Sequence, residues 1–404
     1  MRRLAPTAVQ MGVFATLICI PWWYRFRGFA GPFDVHYSLG FLIFWPMLWT
    51  ILWWLIAGLP GLRTLWQDRW RRAWALALVA LAVWAFFSWT WGFTRPFRPE
   101  VTLGAAIPFM LATLFALVMA CAGPSARAVV GALIVGLVWN SLLAFGQAGV
   151  QGSLGLFTLG EFWIPPGVSG TSVVEADGVR WLRPYGILPH PNILAGFLVI
   201  GLLAASSWLF SRRIWKWYAG TVIVLFGLWA LLLTFSRAAW LGLAAGGAFV
   251  IVLIVSVLLR TRHSSPQPEI TSASADNSVY SRRTDLSRAL PQIAATVACA
   301  LIVATVFALV FHPFLVARTG ITEEGVEQRS ISDRIIFTNI AADAIRSAPL
   351  LGVGLGNFPW FAQRELNKTD FDLRGQPVHN IYLSAWSELG AIGLALLLLT
   401  LGSG

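Results

Sequence analysis

The chain is divided by a series of apolar runs, several of which reach the roughly 20 residues that a helix needs to cross a bilayer core. Hydrophobic residues make up 57% of the 404 residues and charged residues only 12%, against about 25% charged in a typical soluble domain. The 22 tryptophans agree with this interpretation, because indole rings favour the headgroup level of a membrane. The sequence therefore predicts an all-α polytopic membrane protein.

Ten of these runs are candidate transmembrane helices. They lie at about 8–24, 37–59, 73–93, 101–123, 127–149, 187–210, 216–235, 238–259, 291–312 and 381–401. The first run follows a basic start, as the apolar part of a signal peptide does, but it lacks a small-residue cleavage site. We therefore predict an uncleaved first span.

The spans and their connections divide the chain into seven segments. These are transmembrane helices 1–5 at 1–149, an external loop at 150–186, transmembrane helices 6–8 at 187–259, a flexible cytoplasmic loop at 260–290, transmembrane helix 9 at 291–312, a large external loop at 313–380, and transmembrane helix 10 with a possible linker end at 381–404. The segment 260–290 is rich in Ser, Pro and Arg, a composition that favours disorder. The larger external loop is predicted to be partly helical, with an amphipathic helix that is capped near Ser332 and stops at Pro349.

Arginine placement predicts the orientation of these segments. With the N-terminus in the cytoplasm, the basic segments RTLWQDRWRR and SRRIWK and the loop 260–290 all lie inside. The net charge of +11 then faces the cytoplasm, where it contacts anionic lipid. The basic excess is thus explained by topology and membrane lipids, and we expect no nucleic-acid partner.

The predicted spans contain almost no ionisable residues. A proton- or sodium-coupled transporter usually keeps a carboxylate, lysine or histidine at mid-depth. Here the main strongly polar groups within a span are Asn140 and Gln147, for which we predict helix–helix hydrogen bonds. The distribution favours chemistry at the outer membrane surface over ion-coupled transport.

The first candidate stretch at that surface is RPYGILPHPNILAGF, residues 183–197. Arg183 lies just outside the sixth span, and His190 between two prolines marks the start of a helix that includes Asn192. The unpaired N–H groups and positive dipole of a helix N-terminus form a natural anion site. A capped helix beside an interfacial arginine is the alternative interpretation.

The second stretch is LLLTFSRAAWLGL, residues 231–243, in which Ser236 and Arg237 interrupt a run long enough for two spans. The external turn between these spans must be very short, which places Arg237 near the bilayer boundary. Its side chain either extends to the lipid headgroups or faces the protein interior. The sequence leaves both possibilities open.

The third stretch surrounds the tenth span. His379 and Asn380 precede it, and Glu388 lies about two turns inside it. A histidine such as His379 can accept a proton at neutral pH, and a structural role is the alternative. The carboxylate of Glu388, below the surface, needs a partner such as an arginine. Upstream, the glycines of 352–356 follow a helix, which predicts a tight backbone turn and not a dinucleotide site.

Metal and cofactor chemistry find little support in the sequence. Asp370 and Asp372 are spaced like the paired aspartates that hold a metal in enzymes acting on nucleotide sugars, but the charged residues around them favour a solvated surface. The three cysteines lie within apolar runs, where they are best explained as packed hydrophobic residues. We predict no metal site and no cofactor.

Together the three stretches resemble the O-antigen ligase/polymerase superfamily. The similarity rests on R-x-x-G-x-x-x-H-P-N at 183–192, on S-R at 236–237, and on G-V-G-x-G-N-F at 352–358 followed by H-N-x-Y-L-x-x-x-x-E-L-G at 379–390. Each motif alone is weak, but their order, spacing and common membrane side are specific as a set. The resemblance covers about 180–400 by motif and the whole chain by its pattern of spans.

The resemblance implies a metal-independent, inverting membrane glycosyltransferase of the GT-C-like kind in the bacterial cytoplasmic membrane, with its site on the external face. Its partners would be a glycan donor linked to undecaprenyl diphosphate and a lipid A-core or other glycan acceptor. By position, Arg183 and Arg237 would bind the diphosphate and His379 would act at the acceptor hydroxyl. Arg334 matches a recurring family arginine. The supporting residues are Asn380, His190, Asn192 and Glu388.

Several alternatives stay open. Ligase activity is favoured only slightly over the polymerase activity of the same superfamily, because the motifs are shared. A transporter of a small anion or of the lipid-linked glycan is the alternative from another class. Relatives usually continue through one or two further spans after the point where this chain stops at LLLLTLGSG, so we expect a truncated C-terminus or a linker end.

Overall fold

A computed structural model describes residues 4–26, 40–93, 99–168, 170–211, 213–263, 273–318, 325–365 and 378–404. The chain divides into two compact units. The first unit combines Met1–Ala126 with Glu323–Gly404, and the second unit is Arg127–Thr322. The predicted site residues are therefore shared between the units, with His379 in the first and Arg183 and Arg237 in the second.

The described residues form fourteen α-helices and one small sheet. In chain order the helices are α1 (Ala5–Cys19), α2 (Phe44–Ile56), α3 (Leu62–Gln67), α4 (Arg69–Phe87), α5 (Pro99–Ala122), α6 (Ala126–Val150), α7 (Pro191–Ser206), α8 (Ile214–Leu233), α9 (Arg237–His263), α10 (Ala273–Val310), α11 (His312–Ala317), α12 (Gly325–Ser347), α13 (Phe358–Glu365) and α14 (Ile381–Ser403). Short 3-10 helices lie at Ser88–Thr90, Phe157–Leu159 and Ser207–Phe210.

The helices confirm the predicted all-α polytopic class. Within the described part of the chain, seven helical segments are long and apolar enough to cross a membrane, and three shorter apolar helices lie at Ala5–Cys19, Phe44–Ile56 and Arg237–Leu253. Each of the ten predicted spans overlaps one of these ten segments. The number of spans and the segment boundaries derived from it stay predictions.

A β-hairpin follows α6 in the second unit. Strand β1 (Val173–Ala176) pairs antiparallel with β2 (Val179–Leu182), so that Ala176 faces Val179 across a two-residue turn. Asp177 and Gly178 both have positive φ, at 51° and 75°, as hairpin turns of the primed type require. The predicted external loop 150–186 thus has a folded element that ends directly before Arg183.

The long connections are more helical than the sequence pattern predicts. Helix α10 begins at Ala273, inside the segment 260–290 for which a flexible loop was predicted, while 264–272 lie outside the described residues. No Gly or Pro occurs between Ala273 and Pro291, so the strongest helix breakers are absent there. Likewise α12 begins at Gly325, two turns before the predicted cap at Ser332, and it ends before Pro349 as expected.

Helix α14 is broken at Gly390, whose φ of 71° and ψ of −174° are not helical. The carbonyls of Ser387 and Glu388 accept hydrogen bonds from the amides of Val353 and Gly354, at 2.9 and 2.8 Å. A break in a membrane span is tolerated only where other protein groups satisfy the backbone it frees. The glycine run therefore supplies the hydrogen bonds that the broken helix cannot make itself.

Two glycines allow the backbones to approach this closely. A Cβ added at Gly390 would lie 2.0 Å from the carbonyl oxygen of Leu350, and one at Gly352 would lie 2.3 Å from the carbonyl carbon of Glu388. Both positions also have positive φ. The prediction of a tight backbone turn at the glycine run is confirmed, and its function is to hold the break in α14.

Replacing Gly390 or Gly352 with Ala should lower the stability of the purified protein. The added methyl group meets backbone, and the residue must hold a left-handed conformation that costs about 1–3 kcal/mol for non-glycine residues. The measurement is thermal unfolding in detergent. Gly402→Ala is the matched control, since Gly402 lies in the same helix with no atom within 4 Å of an added Cβ. A Gly390→Ala protein as stable as this control would contradict the close approach.

Candidate functional site

Arg183 lies at the centre of a polar cluster in the second unit. It follows strand β2 directly, and only 5% of its surface is exposed. Its Nε donates to the carbonyl oxygen of Thr234 at 2.6 Å, and its Nη2 donates to Oδ1 of Asn192 at 2.5 Å. A buried charge must be hydrogen-bonded to be tolerated. These contacts therefore fix the guanidinium between the start of α7 and the turn after α8.

His190 caps the start of α7. Its Nδ1 accepts a hydrogen bond from the backbone amide of Asn192 at 3.0 Å, and its Nε2 lies 3.2 Å from Oγ of Ser172. Because Nδ1 is an acceptor here, the hydrogen of the neutral ring is assigned to Nε2, which then donates to Ser172. His190 therefore orients the helix start that carries Asn192, as the capped-helix interpretation predicts.

Gln147 of α6 holds the loop that carries Arg183. Its Oε1 accepts from the amides of Tyr185 and Gly186, both at 2.9 Å, and its Nε2 donates to the Gly186 carbonyl at 2.8 Å and to Glu161 at 2.9 Å. The predicted helix–helix hydrogen bonds are thus wrong for Gln147, which bonds to a loop. Asn140 donates within its own helix, to the carbonyl of Gly136.

Two further arginines, Arg237 and Arg318, lie at the turn between α8 and α9. Arg237 begins α9 and is exposed, and its Nη1 donates to the carbonyl oxygen of Arg318. Arg318 in turn donates from Nη2 to the carbonyl of Phe235 at 3.2 Å. With Arg183 bonded to Thr234, three arginine side chains meet at one short turn.

Phe235 is the strained centre of this turn. It is fully buried, and its φ of 49° lies in the left-handed region, which is uncommon for a bulky residue. Its ring packs against Phe307, Phe311 and Phe314, with ring centroids 5.5–6.3 Å apart. This aromatic packing holds the backbone so that the carbonyls of Thr234 and Phe235 point at the arginines.

The predicted residues of the first unit lie around the start of α14. Asn380 is the cap of this helix, and its Oδ1 accepts from the amides of Tyr382 and Leu383 at 2.9 and 3.2 Å. His379, one residue earlier, is exposed, and its ring centroid lies 6.1 Å from that of Phe337 on α12. The cap therefore fixes the backbone beside His379 and leaves its ring accessible.

Arg334 and Glu388 have different surroundings. Arg334 is exposed on α12, one turn before Phe337. Glu388 is buried beside the break in α14, where Oε1 accepts from the amide of Phe358 at 3.3 Å and the carboxylate also bonds to the amide of Gly356. We expected an arginine partner for Glu388. The described partners are backbone amides, because the glycine run passes directly over this carboxylate.

The structure thus brings Arg183, Arg237, His190 and Asn192 together within the second unit. The other four predicted residues, Arg334, His379, Asn380 and Glu388, lie in the first unit. Asp370 and Asp372 lie outside the described residues. Among those that are described, no group of three or more His, Cys, Asp or Glu side chains could hold a metal ion.

Residues 221–398 match the protein-family model described as O-antigen ligase. The chain therefore carries an O-antigen ligase domain. This match confirms the resemblance stated from the motifs and supports an O-antigen ligase/polymerase type of function in general, with a lipid-linked glycan and an acceptor as the general partners. No curated protein matches the chain.

The O-antigen ligase domain contains only part of the polar site. Arg237, Arg318, Arg334 and His379 fall within 221–398, whereas Arg183 and the helix start at His190 precede it. The hydrogen bond from Arg183 to Thr234 joins the preceding loop to the domain within the second unit. The loop 150–186 is therefore part of the same structural site.

Arg318 is the residue that the sequence interpretation missed. It stands alone after the ninth predicted span, where a single arginine is usually explained by contact with lipid headgroups. The available signal was its predicted position on the same membrane side as Arg183 and Arg237. Its side chain bonds to the carbonyl of Phe235, which lies 83 residues earlier in the chain. No local sequence pattern predicts a contact between such distant residues.

Replacing Gln147 with Leu should destabilise the O-antigen ligase domain and the loop before it. The change removes four hydrogen bonds at once and leaves the buried backbone groups of Tyr185 and Gly186 without this partner, at about 1–3 kcal/mol for each unsatisfied group. Thermal unfolding and protease cleavage within 150–186 would measure the effect. Gln10→Leu is the control, because Gln10 makes one long bond of 3.5 Å. Equal stability of the two variants would contradict the bridging role.

Proposed function

We propose that the protein transfers a glycan from undecaprenyl diphosphate to an acceptor hydroxyl at the external face of the bacterial cytoplasmic membrane. The observation that carries this proposal is the meeting of Arg183, Arg237 and Arg318 at one turn of the second unit. Diphosphate is a multiply charged leaving group, and a planar guanidinium can bind two of its oxygens in a bidentate manner. The family match supports the ligase/polymerase type of reaction.

The arginines are suited to the charge that develops during transfer. As the bond between the anomeric carbon and the diphosphate oxygen breaks, its electron pair moves onto that oxygen. Fixed cations near a low-dielectric boundary stabilise such charge more strongly than water does. Arg183 is held by Thr234 and Asn192 before any substrate binds, so little reorganisation is needed. In this proposal Arg183 and Arg237 bind the diphosphate and Arg318 supports Arg237.

His379 is proposed to act at the acceptor. Its imidazole would take the hydroxyl proton while the acceptor oxygen forms its bond to the anomeric carbon, on the side opposite to the departing diphosphate. This direct displacement inverts the configuration at that carbon. The cap formed by Asn380 positions the backbone beside His379, and the residue is exposed at the surface. A general base of this kind contributes about 10²–10⁴-fold.

The acceptor of the glycan distinguishes a ligase reaction from a polymerase reaction. A ligase delivers the glycan to a lipid A-core sugar, and a polymerase delivers it to another lipid-linked repeat unit. We favour the ligase reaction slightly, with the N-terminus in the cytoplasm as the arginine distribution predicts. Assaying both acceptors in parallel with one undecaprenyl diphosphate-linked donor separates the two reactions directly.

Replacing Arg183 or Arg237 with Ala should lower glycan transfer by about 10²-fold or more, the usual effect of removing one fixed donor to developing charge. The measurement is the initial rate of transfer in proteoliposomes. Arg213→Ala is the matched control, since Arg213 is an exposed arginine at the opposite end of α8 from Thr234, about 30 Å away for a helix of this length. Folded variants with full activity would place the diphosphate elsewhere.

Replacing His379 with Ala should lower kcat by about 10²–10⁴-fold while the KM for the donor changes little, because the histidine acts on the acceptor proton. His379→Gln separates two roles. Glutamine can orient a hydroxyl by hydrogen bonding but cannot take its proton at neutral pH, so the base role predicts that both variants are equally slow. Full turnover of His379→Ala would remove the residue from the chemistry.

A further inference from the structure

A concave site lies in the loop that follows α6, apart from the arginine turn. The cavity has a volume of about 470 Å³ and is lined by Gln151, Ser153, Leu154, Phe157, Trp163 and Pro165 among others. This volume is within the range of small-molecule sites in proteins. Two of its aromatic side chains are largely uncovered, with Trp163 69% exposed and Phe157 51% exposed.

The walls of this cavity are held by internal hydrogen bonds. The buried carboxylate of Glu161 accepts from the amides of Leu154 and Leu156, both at 2.7 Å. Oγ of Ser153 donates to the carbonyl of Phe162 and accepts from the amide of Ile164, both at 3.0 Å. These bonds fix the segments on both sides of Trp163, so the walls of the cavity are held by the protein itself.

One wall of the cavity is bonded to the residue that precedes Arg183. Oε1 of Gln151 accepts from the backbone amide of Leu182 at 2.7 Å. Gln151 has a positive φ of 50°, a conformation that glycine and asparagine adopt more readily and that persists where the surrounding structure enforces it. The Gln151 side chain thus joins the cavity wall to the backbone of the loop that carries Arg183. The cavity and the proposed diphosphate site are therefore linked through one hydrogen bond and one peptide unit, within the same structural unit.

The chemistry of the lining fits a sugar. A pyranose ring has an apolar C–H face, which a flat indole covers well, and hydroxyl groups at its rim, which need polar partners. Trp163 and Phe157 offer the apolar surfaces. Gln151 has a second amide N–H beyond the one it donates to the carbonyl of Ala148, and Ser153 Oγ has a second lone pair beyond the one that accepts from Ile164. A tryptophan that only anchors the protein in the headgroup layer needs neither a preformed cavity nor polar groups beside it.

We propose that this cavity binds the sugar that is attached to the diphosphate of the donor, with Trp163 as the stacking residue. The inference rests on the proposed function, because it takes the diphosphate to be held by Arg183. The two groups are covalently joined in such a donor, and the cavity wall is hydrogen-bonded to the loop that carries Arg183. Trp163 then selects donors by their first sugar and contributes nothing to the binding of the bare lipid diphosphate.

The test compares two ligands on the full chain in nanodiscs. The probes are undecaprenyl diphosphate and undecaprenyl diphosphate N-acetylglucosamine, and the measured quantity is the ratio of their dissociation constants. We expect the wild type to bind the sugar-bearing ligand about tenfold more tightly, which corresponds to about 1.4 kcal/mol. Trp163→Ala should bring this ratio close to one without changing the affinity for undecaprenyl diphosphate, and Trp163→Phe should restore part of the ratio.

The controls separate this inference from the proposed function. Trp215→Ala replaces another exposed tryptophan, at the start of α8, and should leave both affinities unchanged. Arg183→Ala should lower the affinity for both ligands by the same factor. Equal binding of undecaprenyl diphosphate by Arg183→Ala and wild type would overturn the proposed function. A wild-type ratio of one, a ratio that Trp163→Ala leaves intact, or a loss shared equally by both ligands would overturn the sugar site.

Discussion

A buried guanidinium in a chain of apolar helices can stay charged only where oxygen atoms surround it, because its desolvation is costly. Arg183 meets this requirement through the carbonyl of Thr234 and the amide oxygen of Asn192. Both partners need their own support. Thr234 belongs to a turn that the Phe235 ring locks in place, and Asn192 belongs to a helix start that His190 caps. The hairpin, the turn and α7 are thus ordered around one charge.

In the first unit, the groups that need hydrogen-bond partners are backbone carbonyls of α14. Helix α14 gains a bend at Gly390, but the bend frees carbonyls that an apolar environment cannot hydrate. The glycine run supplies amides to the carbonyls of Ser387 and Glu388, while Trp84 donates its indole N–H to that of Leu389 at 2.8 Å. The Glu388 carboxylate then accepts from the amides of Gly356, at the end of the run, and of Phe358 just after it. One glycine-rich segment therefore holds both the bend and the buried carboxylate.

The sequence was sufficient for features that repeat or that depend on neighbours in the chain. Apolar runs predicted the polytopic helices, the prolines around His190 predicted a helix start, and the glycine run predicted a tight turn. The Asp-Gly pair at 177–178 is also typical of a hairpin turn. Such local patterns do not predict contacts between segments that are distant in the chain. Neither the backbone partners of Glu388 nor the place of Arg318 at the turn of Phe235 could be read from spacing, since both depend on tertiary packing.

The arginines that bind diphosphate and the surfaces that contact sugars contribute differently to substrate specificity. Under the proposed function, a ligase and a polymerase release the same undecaprenyl diphosphate, so the residues that bind it cannot distinguish the two reactions. Arg183, Arg237 and Arg318 are therefore expected to serve any member that uses this leaving group. Choice of glycan and acceptor must come from surfaces that touch the sugars, because specificity is a difference between binding energies. Trp163 lies before the matched segment 221–398, and its exposed side chain can be exchanged without removing a hydrogen bond that holds Arg183.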